Sequence, residues 1–326
     1  MPLHPEHPEG LNCHAWWTRE IGAAPRDGRP AVEITEVAVD ADAILLLDNH
    51  ATMFGERAVR HPLRRLHPDK AFLYHDGDHV MPLVPGLYPS LRASEATVQN
   101  ALAAPYFARL DQHEQVRAAG YDEDVERSLL FSFAGAVNCD VRARMFEALA
   151  GDARGRLVDS TGSDGWRLSG AERVDYQRRF ADLVRRSRFV LAPRGIGPST
   201  YRLYEAMEMG RPAVVLSDDW TPPPFIDWEA FLVRVPESRV AEVPRLIEDL
   251  DDLAMGAAAR REWERWCGGS GAVDWLAAAV DRLLDGSSAR RPARSAYGRL
   301  LRAPERRTEY VRHCARTVRR RFERSE

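Results

Sequence analysis

The stretch from Ser187 to Glu237 limits what this chain can fold into more than any other. Phe189-Val190-Leu191-Ala192 is an apolar run closed by Pro193, too short for a helix, and reads as a buried strand. Arg194-Gly195-Ile196-Gly197-Pro198-Ser199 follows as a glycine- and proline-rich loop. Ser199 or Thr200 can cap the helix expected from Tyr201 to Met209, where Leu203, Ala206 and Met207 fall at helical spacing. Gly210 ends that helix and Pro212 follows it. Ala213-Val214-Val215-Leu216 is a second buried strand. The result is a βαβ unit whose first loop opens onto a helix N-terminus, which places the chain in the α/β class.

Such a loop has the means to hold a phosphate. The helix start offers unpaired N–H groups and a partial positive charge. Ser199 and Thr200 add hydroxyl donors, while Arg194 and Arg202 add planar cationic forks suited to phosphate oxygens. Glu205, within the first turns of the same helix, can accept bonds from a ribose diol. An ordinary βαβ turn with surface arginines would show the same spacing.

The wording of the stretch narrows the choice. Ser187, Phe189, Leu191, Pro193, Gly195, Ser199, Arg202, Glu205-Ala206, Gly210, Pro212, Asp218, Pro224-Phe225, Ile226-Asp227-Trp228, Phe231, Val233 and Glu237 together resemble the signature of the exostosin family of glycosyltransferases. Ala213 departs from it, where the family more often has Val. The resemblance implies a GT-B fold and an inverting transferase that uses a nucleotide sugar. A second segment, Met81 to Ser90, resembles bacterial exostosin-like proteins and implies an N-terminal, acceptor-side domain.

Elsewhere strands alternate with helices in two halves, which argues for two Rossmann-like domains facing a central cleft. In the first half, Ala43 to Leu47 reads as a central strand ending in Asp48-Asn49-His50, and Ala51 to Val59 could be the helix after it. Ala71 to Tyr74 is the next strand, and it runs into His75-Asp76-Gly77-Asp78-His79. Residues 92–127 lean towards helix. In the second half, Leu129 to Phe133 is a strand and Asp140 can cap a helix from Val141 to Leu149. Arg142 lies in the first turn of that helix; by the family resemblance it would reach the donor diphosphate from the opposite side of the cleft. Tyr176, in a helix expected over Ala171 to Arg186, sits where the family commonly has Tyr. The expected organisation is an acceptor-side domain over 1–125, a nucleotide-sugar domain over 126–286 and a basic helical tail over 287–326.

An inverting transferase needs a general base to take the acceptor proton. Asp76 and Asp78 are the first candidates; His50 and His75 are the alternatives. Asp76-Gly77-Asp78 spells a metal-binding DxD but lies in the acceptor half, and Asp218-Asp219 has no spacer. No metal and no cofactor is therefore expected beyond the nucleotide-sugar donor, with UDP as the nucleotide. The partners are that donor and a hydroxyl acceptor. A silent sugar-nucleotide-binding partner of another transferase would carry the same motifs.

Composition closes off other classes. No run of about eighteen apolar residues exists, and the first ten residues have neither a basic nor an apolar segment, so a cytoplasmic location is expected. Cys13, Cys139, Cys267 and Cys314 lie far apart, which argues against a zinc site and a disulfide framework. The chain carries a net charge of −3, yet residues 289–326 hold 13 Arg against 4 Glu, a net of +9 that leaves the rest at −12. A basic helix over 305–324 can pack back on this acidic body or lie against an anionic membrane surface. Its polyanion binding would be unspecific, so no particular nucleic acid is expected.

Overall fold

The computed structural model describes residues 13–23, 32–48, 56–78, 80–96, 100–107, 113–162 and 168–286. His50 and the basic tail lie outside them.

The chain forms two parallel sheets. The first holds β1 (Ile44–Asp48), β2 (Ala71–His75), β3 (Gly86–Tyr88) and β4 (Ala101–Ala103), side by side in that order. Every residue of β2 is buried, because neighbours pair on both edges and side chains cover both faces. The second sheet holds β5 (Leu129–Gly135), β6 (Gly155–Asp159), β7 (Ser187–Pro193), β8 (Ala213–Leu216) and β9 (Leu232–Arg234) in the order β6-β5-β7-β8-β9. That order reverses between β5 and β7. In open parallel sheets a ligand crevice forms at such a reversal, outside the carboxyl ends of the strands.

The helices, in chain order, are α1 (Cys13–Ala23), α2 (Glu56–Arg60), α3 (Pro62–Leu66), α4 (Glu114–Ala119), α5 (Asp140–Leu149), α6 (Gly170–Arg185), α7 (Tyr201–Glu208), α8 (Val243–Ile247), α9 (Asp252–Trp266) and α10 (Ser270–Gly286). The described residues of 92–127 include a short 3-10 turn, β4 and the six-residue α4. The N-cap position before α5 belongs to Cys139, so Asp140 sits inside the first turn instead of capping it.

Four apolar clusters fill the layers. Phe180, Val184, Leu203, Met207 and Trp263 pack on one face of the second sheet; Phe133, Met145, Leu191 and Ile247 pack on the other. Under the first sheet lies a cluster of Trp16, Trp17, Phe72, Tyr74, Phe107, Trp275 and Leu283. The Trp16-Trp17 pair thus docks on the first sheet, with Trp16 stacked on Phe107 at 5.7 Å. The same cluster shows that α10 crosses back from the second half to the first. Asn100 fastens it by donating to the Leu283 carbonyl at 2.8 Å.

The halves also touch through their loops. Arg92 and Trp220 form an isolated antiparallel bridge, and the Ala93 N–H donates to the Asp219 carbonyl at 3.0 Å. No helix among the described residues is long and apolar enough to cross a membrane.

Candidate functional site

The carboxyl ends of β5 and β7 release two loops side by side, 136–139 and 194–200. Arg142 ties them together. It projects from the first turn of α5, is buried, and donates to the carbonyls of Ala136 (2.8 Å), Pro193 (3.3 Å) and Arg194 (3.0 Å). Its guanidinium lies over the Phe133 ring at 5.3 Å. Among the described residues no carboxylate pairs with it. Burial pushes its pKa down to about 10, which still leaves it a cation at neutral pH. Its hydrogen bonds therefore go to carbonyl dipoles, and Asp78 acts on its charge only from a distance.

Arg194 behaves differently. Its Nε donates to Glu237 Oε1 at 2.7 Å and its Nη2 to Asp140 Oδ1 at 2.5 Å. Burial works against the Arg194 charge, but the Glu237 and Asp140 carboxylates outweigh it and raise the pKa. Glu237 also receives the Asp218 N–H at 3.3 Å, while its own N–H donates to Asp218 Oδ1 at 3.0 Å. Asp218 and Glu237, two of the acids in the sequence signature, thus interlock behind the loop and brace Arg194 and the end of β8.

The loop itself needs small residues. A Cβ on Gly195 would lie 3.3 Å from Arg142 Nη2. A Cβ on Gly197 would lie 2.6 Å from Ser90 Oγ and 2.9 Å from the Asp78 carbonyl. Gly197 is thus one point where the second domain meets the first. Ser90 is hydrogen-bonded to the Tyr106 hydroxyl, and the Tyr106 ring stacks edge-on against Tyr201 at 4.5 Å. Ser217 secures the loop by donating to the Pro198 carbonyl at 2.8 Å.

Beyond the loop, α7 begins without a side-chain cap. Thr200 occupies the capping position in extended conformation, and its side chain makes no capping bond. Ser199 is buried, and its hydroxyl lies beside that of Tyr204. Burial pushes the Tyr204 pKa up, and the Ser199 hydroxyl pulls against it. The first N–H groups of α7 are therefore left for an acceptor from outside the helix.

Arg202 is anchored in three ways. Its Nε donates to the Ala134 carbonyl at 2.7 Å, its Nη1 pairs with Glu205, and its guanidinium lies 4.2 Å above the Phe180 ring. Glu205 is buried and uses Oε2 on that pair. His113 lies beneath them, edge-on to Phe180 at 4.9 Å. Burial and the Arg202 charge lower the His113 pKa, against an opposing pull from Glu205.

Across the cleft, the end of the first sheet gathers Asp48, His75 and Asp76, all buried. The Gly77 N–H donates to His75 Nδ1 at 3.0 Å, so Nε2 carries the proton of the neutral ring and faces Asp48 Oδ2 at 3.8 Å. This turn delivers Asp78, half-buried, to the contact with Gly197 and within electrostatic reach of Arg142. The structure therefore brings Asp78, Arg142, Gly195, Gly197, Ser199, Thr200, Arg202 and Glu205 to one place, with Asp76 set deeper on the same turn. Among the described residues, no group of three His, Cys, Asp or Glu side chains is close enough to hold a metal.

Several contributors carry no loud sequence signal. Tyr106 and His113 come from segments with no motif, Ser90 ends the Met81 to Ser90 segment without standing out in it, and only the tertiary fold brings the three to the loop. Phe180 reads in sequence as a core residue of α6, and its second use as a platform under Arg202 needs the sheet order to be known.

No curated protein matches the chain. A family model does: the exostosin GT47 domain matches residues 49–250, which include both ends of the cleft. With two parallel sheets in the GT-B arrangement and a crevice where the second reverses its strand order, the chain belongs to the exostosin GT47 family of glycosyltransferases.

Proposed function

We propose that the protein is an inverting glycosyltransferase that moves a sugar from a nucleoside diphosphate, UDP in our reading, to an acceptor hydroxyl. The observation that carries this is the reversal between β5 and β7. There an uncapped helix N-terminus, the buried Ser199 hydroxyl and an Arg142 that among the described residues has no carboxylate ion pair meet in one crevice. Each of the three favours an anion. The diphosphate would lie over residues 194–200, and the charge that grows on it as the sugar leaves would be met by Arg142, Arg202 and the N–H groups of α7. Arg202 holds one oxygen of Glu205, so the other oxygen can take the ribose hydroxyls.

Asp78 is our choice for the base. It reaches the rim of the cleft, whereas the Asp76 carboxylate is buried at its foot. In the reaction Asp78 would take the proton of the acceptor hydroxyl as its oxygen attacks the anomeric carbon from the face opposite the leaving diphosphate. Because fixed guanidinium groups would neutralise the leaving group, turnover is expected to survive EDTA.

The test is UDP binding by calorimetry, together with UDP release from UDP-sugars over an acceptor panel. Arg202→Ala should weaken UDP by at least about tenfold, or roughly 1.4 kcal/mol. Unchanged affinity would remove the donor site from this loop. Tight UDP binding with no release on any acceptor would instead identify a silent binding partner of another transferase.

A further inference from the structure

At the other end of the second sheet, below the amino ends of β5, β7 and β8, four arginines converge. Arg127 precedes β5, Arg185 ends α6, Arg188 opens β7 and Arg211 precedes β8. Two paired carboxylates meet them. Asp252 gives both its oxygens away, one to Arg127 Nη1 and one to Arg188 Nε, each at 2.7 Å. Asp122 accepts from Arg185 Nη2 at 3.3 Å. A third acid, Glu123, is exposed at the rim and takes the Tyr121 hydroxyl. Arg211 is 1% exposed and bonds only to carbonyls, those of Met209, Gly210 and Arg185. Its guanidinium also feels the charges of Arg127 and Arg185, and with burial they depress its pKa.

This corner holds an excess of positive charge, and its unmet hydrogen bonds have one sign. Arg127 Nε and Nη2, Arg185 Nε and Arg211 Nε are all buried without an acceptor. All four are donors. Two of them, Nε and Nη2 of Arg127, share one edge of a guanidinium plane, the edge that grips two oxygens of a single oxyanion. Arg127 has Asp252 on its Nη1 only, and Arg211 has carbonyls alone; buried donors left over in this way are costly, and what they lack here is an acceptor with negative charge.

We propose that this corner is an oxyanion site, in which an inorganic oxyanion of the phosphate type takes both donors of the Arg127 edge, with Arg185 and Arg211 supplying further N–H groups. The site would act as a counterion that pins Arg127 and the 120–128 connector to the foot of the second sheet. It is separate from the donor crevice, since the two lie at opposite ends of parallel strands.

The experiment is thermal unfolding of the full chain, titrated with sodium phosphate or with sodium chloride at matched ionic strength. Phosphate should give a saturating rise of about 2–4 °C that chloride does not give. Arg127→Lys keeps the charge but removes the two-oxygen edge, and should abolish the rise. Should that variant not fold, Arg185→Lys, at a partly exposed position, should shift the phosphate half-saturation upward by about tenfold. The rise must persist in Arg202→Ala, in which phosphate binding at the donor loop is weakened. An equal rise in chloride, a rise indifferent to both lysine variants, or a rise lost in Arg202→Ala would overturn the assignment. The last of these would place the phosphate at the donor loop.

Discussion

Gly197→Ala tests the junction of the two domains with a single methyl group. The φ of Gly197 lies outside the left-handed region, so alanine fits its backbone and the whole effect comes from contact. The new Cβ would stand 2.9 Å from the Asp78 carbonyl and 2.6 Å from Ser90 Oγ. The first is backbone, and the second is held by the Tyr106 hydroxyl, so neither can simply rotate aside. Restoring ordinary van der Waals separation needs the two loops to part by about 0.5–1 Å. Overpacking of this kind costs about 1–3 kcal/mol of stability. The larger consequence is chemical, because the parting moves Asp78 away from the donor loop. A misplacement of this order lowers turnover by about 10- to 100-fold. UDP affinity should change far less, since Arg142 and the start of α7 both belong to the second domain. The assay is single-turnover transfer alongside UDP calorimetry and urea unfolding. A variant of full stability whose turnover stays within about threefold of wild type would refute both the close approach and the place of Asp78 in the chemistry.

Arg142→Lys keeps a cation but loses the fork that reaches three carbonyls, so unfolding stability should drop by about 2–4 kcal/mol and UDP should bind more weakly; a drop below about 0.5 kcal/mol in a urea titration would show that the loops hold without it. Trp275→Ala empties the centre of the cluster joining α10 to the first sheet and should cost about 3–5 kcal/mol, read from the urea midpoint. His113 should contribute to acid lability. Burial lowers its folded pKa below the unfolded value near 6.5, so the unfolded chain takes up a proton that the fold resists, and stability falls as pH drops through and below that value. His113→Asn should flatten this fall between pH 7.5 and 5.5, and an unchanged slope would count against it.

The elements that sequence revealed are those whose signal is local. Ala213-Val214-Val215-Leu216 is β8 to the residue, because a strand buried on both faces must be continuously apolar and Pro212 marks where it starts. The helix after the loop was legible from its spacing and from Gly210, whose φ of 60° suits a residue without a side chain. Gly86-Leu87-Tyr88, Ala101-Leu102-Ala103 and Leu232-Val233-Arg234 escaped notice. At three residues a strand shows no periodicity, and each exists because the strand beside it offers hydrogen bonds. The return of α10 to the first sheet was equally hidden. Its apolar face is plain in the sequence, but nothing in a helix states which sheet it will cover.

Charge at the site illustrates the same division between what residue types say and what partners decide. Arg142, Arg194 and Arg202 look alike in sequence, three cations near one loop. The fold gives each a different acceptor. Arg194 faces two carboxylates, Arg202 faces one and a carbonyl, and Arg142 faces carbonyls alone. Three cations set against Asp140, Glu237 and Glu205 leave almost no net charge in this corner. If the crevice holds a diphosphate, as we propose, the pull on it then cannot come from the number of arginines. It comes from where the compensation sits: the carboxylates lie against Arg194 and Arg202, while Arg142 and the open N-terminus of α7 are left uncompensated on the side of residues 195–200. A crevice built this way attracts an anion without carrying a large free charge, which would otherwise strain the empty site by self-repulsion. It follows that Arg194 serves the site mainly by bracing the end of β7 against Glu237, and that Arg142 and α7 supply the field.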